Sequence, residues 1–264
     1  MKKKPSKKKP TAKKKPAPKK GGSYDALLAK LTDDEAKERA KAAAELAKRC
    51  AEDPEAPFER IRLALIERIR VGAHMERDPV ARRAAHQARC DVAAARARAR
   101  GMRIARPELQ YYDDQRLHWE AIERVFEAAD IYEDRKKLLS ILDLATKGQR
   151  ALFGIWWTQS EVNNGGFGQY FSNSTAIVAP EALEGFRLVG AKKFAALLDQ
   201  AMKKFPGGEM PLDREARDEA LEKIDAAEFD ALNKRFYALQ EKDGGFFKLT
   251  SAYVQEHPEE FFED

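Results

Sequence analysis

The spacing of apolar residues predicts helices along most of the chain after residue 22. Five apolar side chains in one segment follow the i, i+3, i+7, i+8, i+11 spacing of a single helix face: Phe58, Ile61, Leu65, Ile66 and Ile69. Segments before and after this one show similar spacing, and no segment alternates convincingly as a strand. The pattern therefore predicts an all-α fold, with a multi-helix globular domain preceded by additional amphipathic helices.

Residues typical of helix ends divide this pattern into elements. Asp78 is predicted to cap a helix that has Pro79 at its first position, and Thr32 with Glu35 is predicted to form a capping box. A long helix is expected over residues 135–159. The five helices predicted after it cover residues 180–189, 191–205, 213–223, 228–239 and 246–255.

Charge is unevenly distributed along the chain. The formal net charge is +5, but the first 20 residues contain 11 Lys and no acid, so the remainder carries 5 − 11 = −6. Residues 79–106 hold 8 Arg and one Asp, a net of +7, whereas residues 140–264 hold 14 basic and 21 acidic residues, a net of −7. The chain thus has a basic amino terminus, a basic middle helix and an acidic end.

The Lys, Pro and Ala composition of residues 1–22 predicts a disordered tail. Residues 2–20 could contact nucleic acid without sequence specificity, because each Lys that neutralises a phosphate releases a counterion. The alternatives are a solubilising extension and a contact with the protein's own acidic surface.

The middle basic helix carries a stripe of arginines at intervals of seven, joined by one more; the members of this Arg stripe are Arg82, Arg89, Arg96, Arg103 and Arg100. One hypothesis is that the stripe follows a phosphate backbone. The favoured interpretation is a surface whose guanidinium groups pair with carboxylates elsewhere in the protein.

Several classes of protein are not supported by the sequence. It has no apolar run of the roughly 18–20 residues that a membrane helix needs and no signal-peptide core, so a cytoplasmic location is expected. Cys50 and Cys90 have no CxxC spacing, and we expect two free thiols, no metal and no cofactor. No nucleophile, metalloprotease or phosphate-loop motif is present, so the prediction is a protein that is not an enzyme.

The most informative stretch is WWTQSEVNNGGFGQYFSNST at residues 156–175. Its Gly and Asn residues permit positive φ and a sharp reversal, with glycine expected to be needed at Gly165. The amide and carboxylate groups either fix this turn, which is the favoured interpretation, or line a ligand pocket in which Glu161 would act as a base. The residues of this signature turn are Glu161, Asn163, Asn164, Gly165, Gly166, Gln169 and Tyr170.

The run EVNNGGFGQYFSNS resembles the signature of the bacterial DNA-mimic protein family's carboxy-terminal domain. The resemblance continues through ALEGF at 182–186, FPGG at 205–208 and AYV at 252–254, and covers residues 139–262. The chain is accordingly divided into the tail at 1–22, a helical region at 23–134 and a DNA-mimic-like domain at 135–264.

The resemblance implies an all-helical binding protein whose carboxylates imitate DNA phosphates and occupy the DNA-binding surface of a transcriptional regulator. The expected partner is a basic protein; the oligomeric state is left open. The carboxylates that we assign to this acidic surface are Asp213, Glu215, Asp218, Glu219 and Glu222. The alternatives are that these acids only solvate a helix, or that the protein associates with nucleic acid through its tail and Arg stripe.

Overall fold

The computed structural model describes residues 23–69, 76–105, 112–131, 135–242 and 246–263. These residues form twelve α-helices and one pair of two-residue strands, which confirms the all-α prediction. The predicted tail at 1–22 lies outside the described residues.

Four helices form the first part of the fold around a core of their own. Leu46 of the second helix, Leu65 of the third and Val92 of the fourth are fully buried in this cluster. The predicted cap of the fourth helix is confirmed, because the Asp78 carboxylate accepts hydrogen bonds from the amides of Val80 and Ala81 at 3.0 and 2.8 Å. The four helices are α1 (Tyr24–Lys30), α2 (Ala36–Glu52), α3 (Phe58–Ile69) and α4 (Pro79–Arg100).

The predicted capping box at Thr32 is wrong. The Thr32 hydroxyl donates back to the Ala29 carbonyl at 2.8 Å, which closes the turn that ends α1. Helix α2 begins only at Ala36, so Glu35 occupies the cap position and makes no side-chain capping bond. A Thr hydroxyl can accept from an amide at the start of a helix or donate to a carbonyl at the end of one. Here it donates to the Ala29 carbonyl of the preceding helix.

The second part of the fold contains the other eight helices. Side chains of α5, α7 and α12 share one core cluster, so the division at residue 134 stays a prediction. The helices are α5 (Asp114–Ala128), α6 (Arg135–Leu142), α7 (Lys147–Ser172), α8 (Ala179–Leu188), α9 (Lys192–Met202), α10 (Arg214–Leu221), α11 (Ala227–Lys242) and α12 (Phe247–Glu256), with short 3₁₀ helices at Ser174–Val178, Pro206–Gly208 and Pro258–Glu260.

The single helix predicted over 135–159 is in fact two helices. Helix α6 ends at Leu142, and α7 starts anew at Lys147 behind Thr146. The Thr146 hydroxyl accepts from the Gln149 amide at 3.2 Å, and the Gln149 side chain accepts from the Thr146 amide at 3.2 Å. This capping box starts a helix inside a run whose apolar spacing looks continuous.

Helices α7 and α8 cross at very close range. A Cβ atom on Gly154 would lie 2.6 Å from the Ala182 backbone nitrogen, and one on Gly185 would lie 2.6 Å from the Ala151 carbonyl oxygen. Glycine at both positions lets the two backbones meet, which anchors α7 in the core.

The last residues that the structure describes pair with the segment that follows α4. Residues Ile104–Ala105 (β1) and Phe262–Glu263 (β2) pair in parallel. Among the helices that the structure describes, none is long and apolar enough to cross a membrane.

Candidate protein-binding surface

The signature turn is a sharp bend inside α7. Gly166 has φ 78° and ψ −177°, a conformation that favours glycine, whereas Gly165 has φ −162°, which is extended. The Thr158 hydroxyl donates to the Tyr170 hydroxyl at 2.9 Å, although 12 residues of straight helix would separate them by about 18 Å. The expected bend with positive φ is therefore present, but Gly166 and not Gly165 adopts the left-handed conformation.

Polar side chains around the bend bond to each other and to α11. Asn173 donates to the Glu161 carboxylate at 2.7 Å, and Asn163 exchanges hydrogen bonds with Gln240 at 2.6 and 3.2 Å. The Phe167 amide, just after the bend, donates to Asn233 at 2.9 Å. These contacts hold the bend against α11.

The remaining residues of the signature turn differ in exposure. Tyr170 is fully buried, and burial raises the pKa of its phenol. Asn164 is exposed, and the Gln169 side chain packs beside Gly165. The contacts of Glu161 and Asn163 are the kind that fix a turn, which favours the structural interpretation over a base in a pocket. That role stays a prediction.

Helix α10 carries the predicted acidic surface. Glu215, Asp218, Glu219 and Glu222 recur at i, i+3, i+4 and i+7 and share one face of the helix. Glu215, Glu219 and Glu222 are exposed, and Asp218 is half-buried, 3.8 Å from the Arg214 guanidinium. We call these four carboxylates the α10 acidic face.

The fifth predicted residue, Asp213, acts at the start of this helix. Its carboxylate accepts a hydrogen bond from the Ala216 amide at 2.9 Å and so caps α10. The side chain is exposed, and a negative charge there is also favoured by the helix dipole.

The opposite face of α10 holds a buried arginine that the sequence analysis did not single out. Arg217 is 1% exposed and donates to the carbonyl oxygens of Phe171 at 2.7 Å and Asn173 at 3.0 Å, at the end of α7. It also donates to the carbonyls of Pro211 and Leu212, at 3.3 and 3.1 Å. Arg217 thus attaches the acidic helix to the segment just after the signature turn.

A sequence signal for Arg217 does exist. In REARDEAL it lies opposite the acidic stripe, on the side that also carries Ala220 and Leu221. A buried arginine needs acceptors for its guanidinium N–H groups, so an arginine at the centre of the buried face of a helix indicates hydrogen bonds to nearby carbonyl oxygens.

Some of the other acidic side chains in the last 64 residues are exposed, and others make contacts within the protein. Asp225 and Asp230 are exposed, and Glu228 is 3.1 Å from the Lys204 ammonium. Glu260 accepts from the Tyr253 hydroxyl at 2.6 Å and from the Gly148 amide at 2.5 Å, so it is used within the fold.

The Arg stripe is partly engaged in contacts within the protein. Arg96 lies 3.6 Å from the Glu59 carboxylate and donates to the Gly101 carbonyl at 2.8 Å. Arg100 stacks over the Phe58 ring at 5.3 Å, and Arg103 donates to the Glu259 carbonyl at 3.3 Å. These contacts favour internal pairing over a stripe that is wholly available to phosphate.

A family model described as "DMP19-like protein" matches residues 143–257. The carboxy-terminal part of the chain matches the DMP19-like family. This result confirms the predicted resemblance, and the matched range lies within the expected 139–262. The DMP19-like segment is less than half of the chain and contains both the signature turn and α10. No curated protein and no solved structure matches the chain.

Proposed function

We propose that this protein acts without catalysis as a DNA mimic, in which the α10 acidic face occupies the DNA-binding surface of a basic regulator. The observation that carries the proposal is the single stripe of four carboxylates, three exposed and one half-buried, on a helix whose other side is fixed by Arg217. The match to the DMP19-like family supports the same function.

The charge density of the stripe is close to that of a DNA strand. Glu215 and Glu222 are seven residues apart, which is about 10.5 Å of helix, so the four carboxylates average one per 3.5 Å of axis, at uneven intervals of about 4.5, 1.5 and 4.5 Å. One DNA strand carries a phosphate about every 3.4 Å of axis. Basic side chains arranged for a phosphate backbone would therefore meet a similar average density of negative charge.

The surroundings add to the negative potential. Residues 213–230 contain 8 acids and 3 bases, a net of −5, and one of those bases is the buried Arg217. Complementary charge of this kind raises association rates and is screened by salt.

Rigidity is the second physical requirement of a mimic. A flexible acidic segment would lose conformational entropy on binding, whereas an ordered array does not. Asp213 caps α10, and the Arg217 contacts with Phe171 and Asn173 fix its position.

The proposal is tested by affinity capture with protein lacking residues 2–20, followed by mass spectrometry. We expect a DNA-binding protein that is released by duplex DNA and by moderate salt. Capture of a partner that duplex DNA does not displace would contradict mimicry. Direct retention of nucleic acid by the tailless protein would instead support the alternative, in which exposed arginines such as Arg82 contact phosphate.

A further inference from the structure

Three metal-ligating side chains of different chemistry converge beside α4. His86 and Cys90 are four residues apart and therefore lie on one face of this helix, and Asp130 follows the end of α5. One imidazole nitrogen, the thiol sulfur and one carboxylate oxygen all lie within 4.8 Å of one another. His86 and Cys90 are neighbours on α4, whereas only the fold brings Asp130 to this helix.

We propose that His86, Cys90 and Asp130 form a binding site for a divalent zinc-class cation. This proposal is independent of the function assigned to the α10 acidic face. It also revises the sequence-based expectation of a chain without a metal site, which considered CxxC spacing and overlooked His86 one helical turn before Cys90.

The donor set suits zinc better than the hard cations. Imidazole nitrogen and thiolate sulfur are ligands of Zn²⁺, whereas Mg²⁺ and Ca²⁺ require oxygen ligands. Zinc bonds measure about 2.0–2.3 Å, so opposite ligand atoms in a tetrahedral site are separated by roughly 3.5 Å. The ligand atoms lie within 4.8 Å of one another, so coordination requires the side chains of the exposed His86 and the half-buried Asp130 to rotate towards the metal ion.

Cys90 would bind the cation as a thiolate, which is the form of cysteine that coordinates metals. Metal binding replaces the S–H bond by a metal–sulfur bond, and the thiol proton leaves to solvent.

The position of the site leaves room for a fourth ligand. Cys90 and Asp130 line a cavity of about 780 Å³ between α2, α4 and α6. When three protein side chains bind zinc and the fourth coordination position is open, the ion retains a water molecule or binds a small ligand there. The alanines that line much of the cavity leave the space beside the cluster unfilled.

Cobalt(II) provides a direct test, because its bond to a thiolate gives a characteristic charge-transfer absorption. The full-length protein, kept reduced, is titrated with Co²⁺ and then with Zn²⁺. We expect one equivalent of Co²⁺ to produce the thiolate band and Zn²⁺ to displace it. His86→Ala and Asp130→Asn should each weaken binding by at least about ten-fold, and Cys90→Ala should abolish the band.

Cys50→Ala and His257→Ala are matched controls. Cys50 is also a buried thiol, and His257 is also a surface imidazole, but neither belongs to the cluster. Both variants should keep the band unchanged. No thiolate band in the parent protein, a band that survives Cys90→Ala, or a band lost in Cys50→Ala would overturn the proposal. Because His86 is exposed, His86→Ala keeps the test valid if Cys90→Ala does not fold.

Discussion

Replacing Arg217 with Met should destabilise the protein far more than any other single change in α10. Methionine fills the aliphatic part of the buried site but removes every donor of the guanidinium group. The carbonyl oxygens of Phe171 and Asn173 would then lose partners that now lie at 2.7 and 3.0 Å. Phe171 lies in the last turn of α7, where carbonyls have no partner within the helix, whereas the Asn173 carbonyl, just beyond α7, also accepts from the Ala176 amide at 3.2 Å.

The magnitude follows from the carbonyls that lose a donor. Leaving the buried Phe171 carbonyl unsatisfied costs about 1–3 kcal/mol, and losing one hydrogen bond at each of the Asn173, Pro211 and Leu212 carbonyls costs about 1 kcal/mol apiece. The cost of burying the guanidinium, which lowers the pKa of Arg217, disappears in the variant and offsets part of this loss. We expect a net decrease of about 3 kcal/mol in the free energy of unfolding.

Urea unfolding followed by circular dichroism measures this difference. Arg214→Met is the matched control, because Arg214 is in the same helix, is 62% exposed and lies 3.8 Å from the Asp218 carboxylate in an exposed ion pair. It should change the free energy of unfolding by less than about 0.5 kcal/mol. Equal stabilities for the two variants would refute the inference that Arg217 fixes α10.

Three further predictions concern the bend, a buried carboxylate and the tail. Gly166→Ala should cost about 2–4 kcal/mol, because φ is 78° and the new Cβ would lie 2.5 Å from the Asn233 amide. Gly165→Ala should cost less, because φ is −162° and the closest atom to its Cβ, at 2.0 Å, is Oε1 at the end of the Gln169 side chain, which can turn away. Glu76 is buried, and a hydrogen bond from the Arg39 guanidinium lowers the pKa of its carboxyl to about 2. Glu76→Gln should therefore cost about 2 kcal/mol at pH 7. Deleting residues 2–20 should abolish any binding to duplex DNA and its salt dependence.

Each of these has a measurement and a contrary outcome. Thermal unfolding compares the two glycine variants, and equal losses would show that the left-handed conformation is not the cause. The Glu76 effect should be full above about pH 5 and should fade as the pH falls towards 2, because the parent then protonates the same group. An effect independent of pH would point to packing instead. DNA binding is followed by fluorescence anisotropy, and unchanged affinity without the tail would assign binding to the Arg stripe.

The fold class could be predicted from sequence because apolar periodicity is a local property. The predicted helix at 180–189 became α8 (Ala179–Leu188), and Asp78 with Pro79 marked the start of α4. The break between α6 and α7 was missed, because Thr146 and Gln149 do not interrupt the apolar spacing. Thr32 was assigned to the wrong helix end because a hydroxyl can bond to either.

The sequence could predict some parts of the candidate sites but not others. The stripe of Glu215, Asp218 and Glu219 follows from helical spacing alone. The contacts of Arg217 with Phe171 and Asn173, and the meeting of Asp130 with Cys90, join residues that are 40 or more positions apart in the sequence. The spacing of residues within one helix cannot show such contacts.

The central claim is that the α10 acidic face binds the partner, and association kinetics test it most directly. The variant Asp218→Asn, Glu219→Gln, Glu222→Gln removes three charges from that face.

The control variant, Asp34→Asn, Glu55→Gln, Glu67→Gln, removes three exposed charges from the first part of the fold. Using the captured partner and tailless protein, we expect the α10 variant to associate at least about ten-fold more slowly at low salt, with less salt dependence, while the control matches the parent. Equal association rates for the α10 variant, the control and the parent would contradict the account.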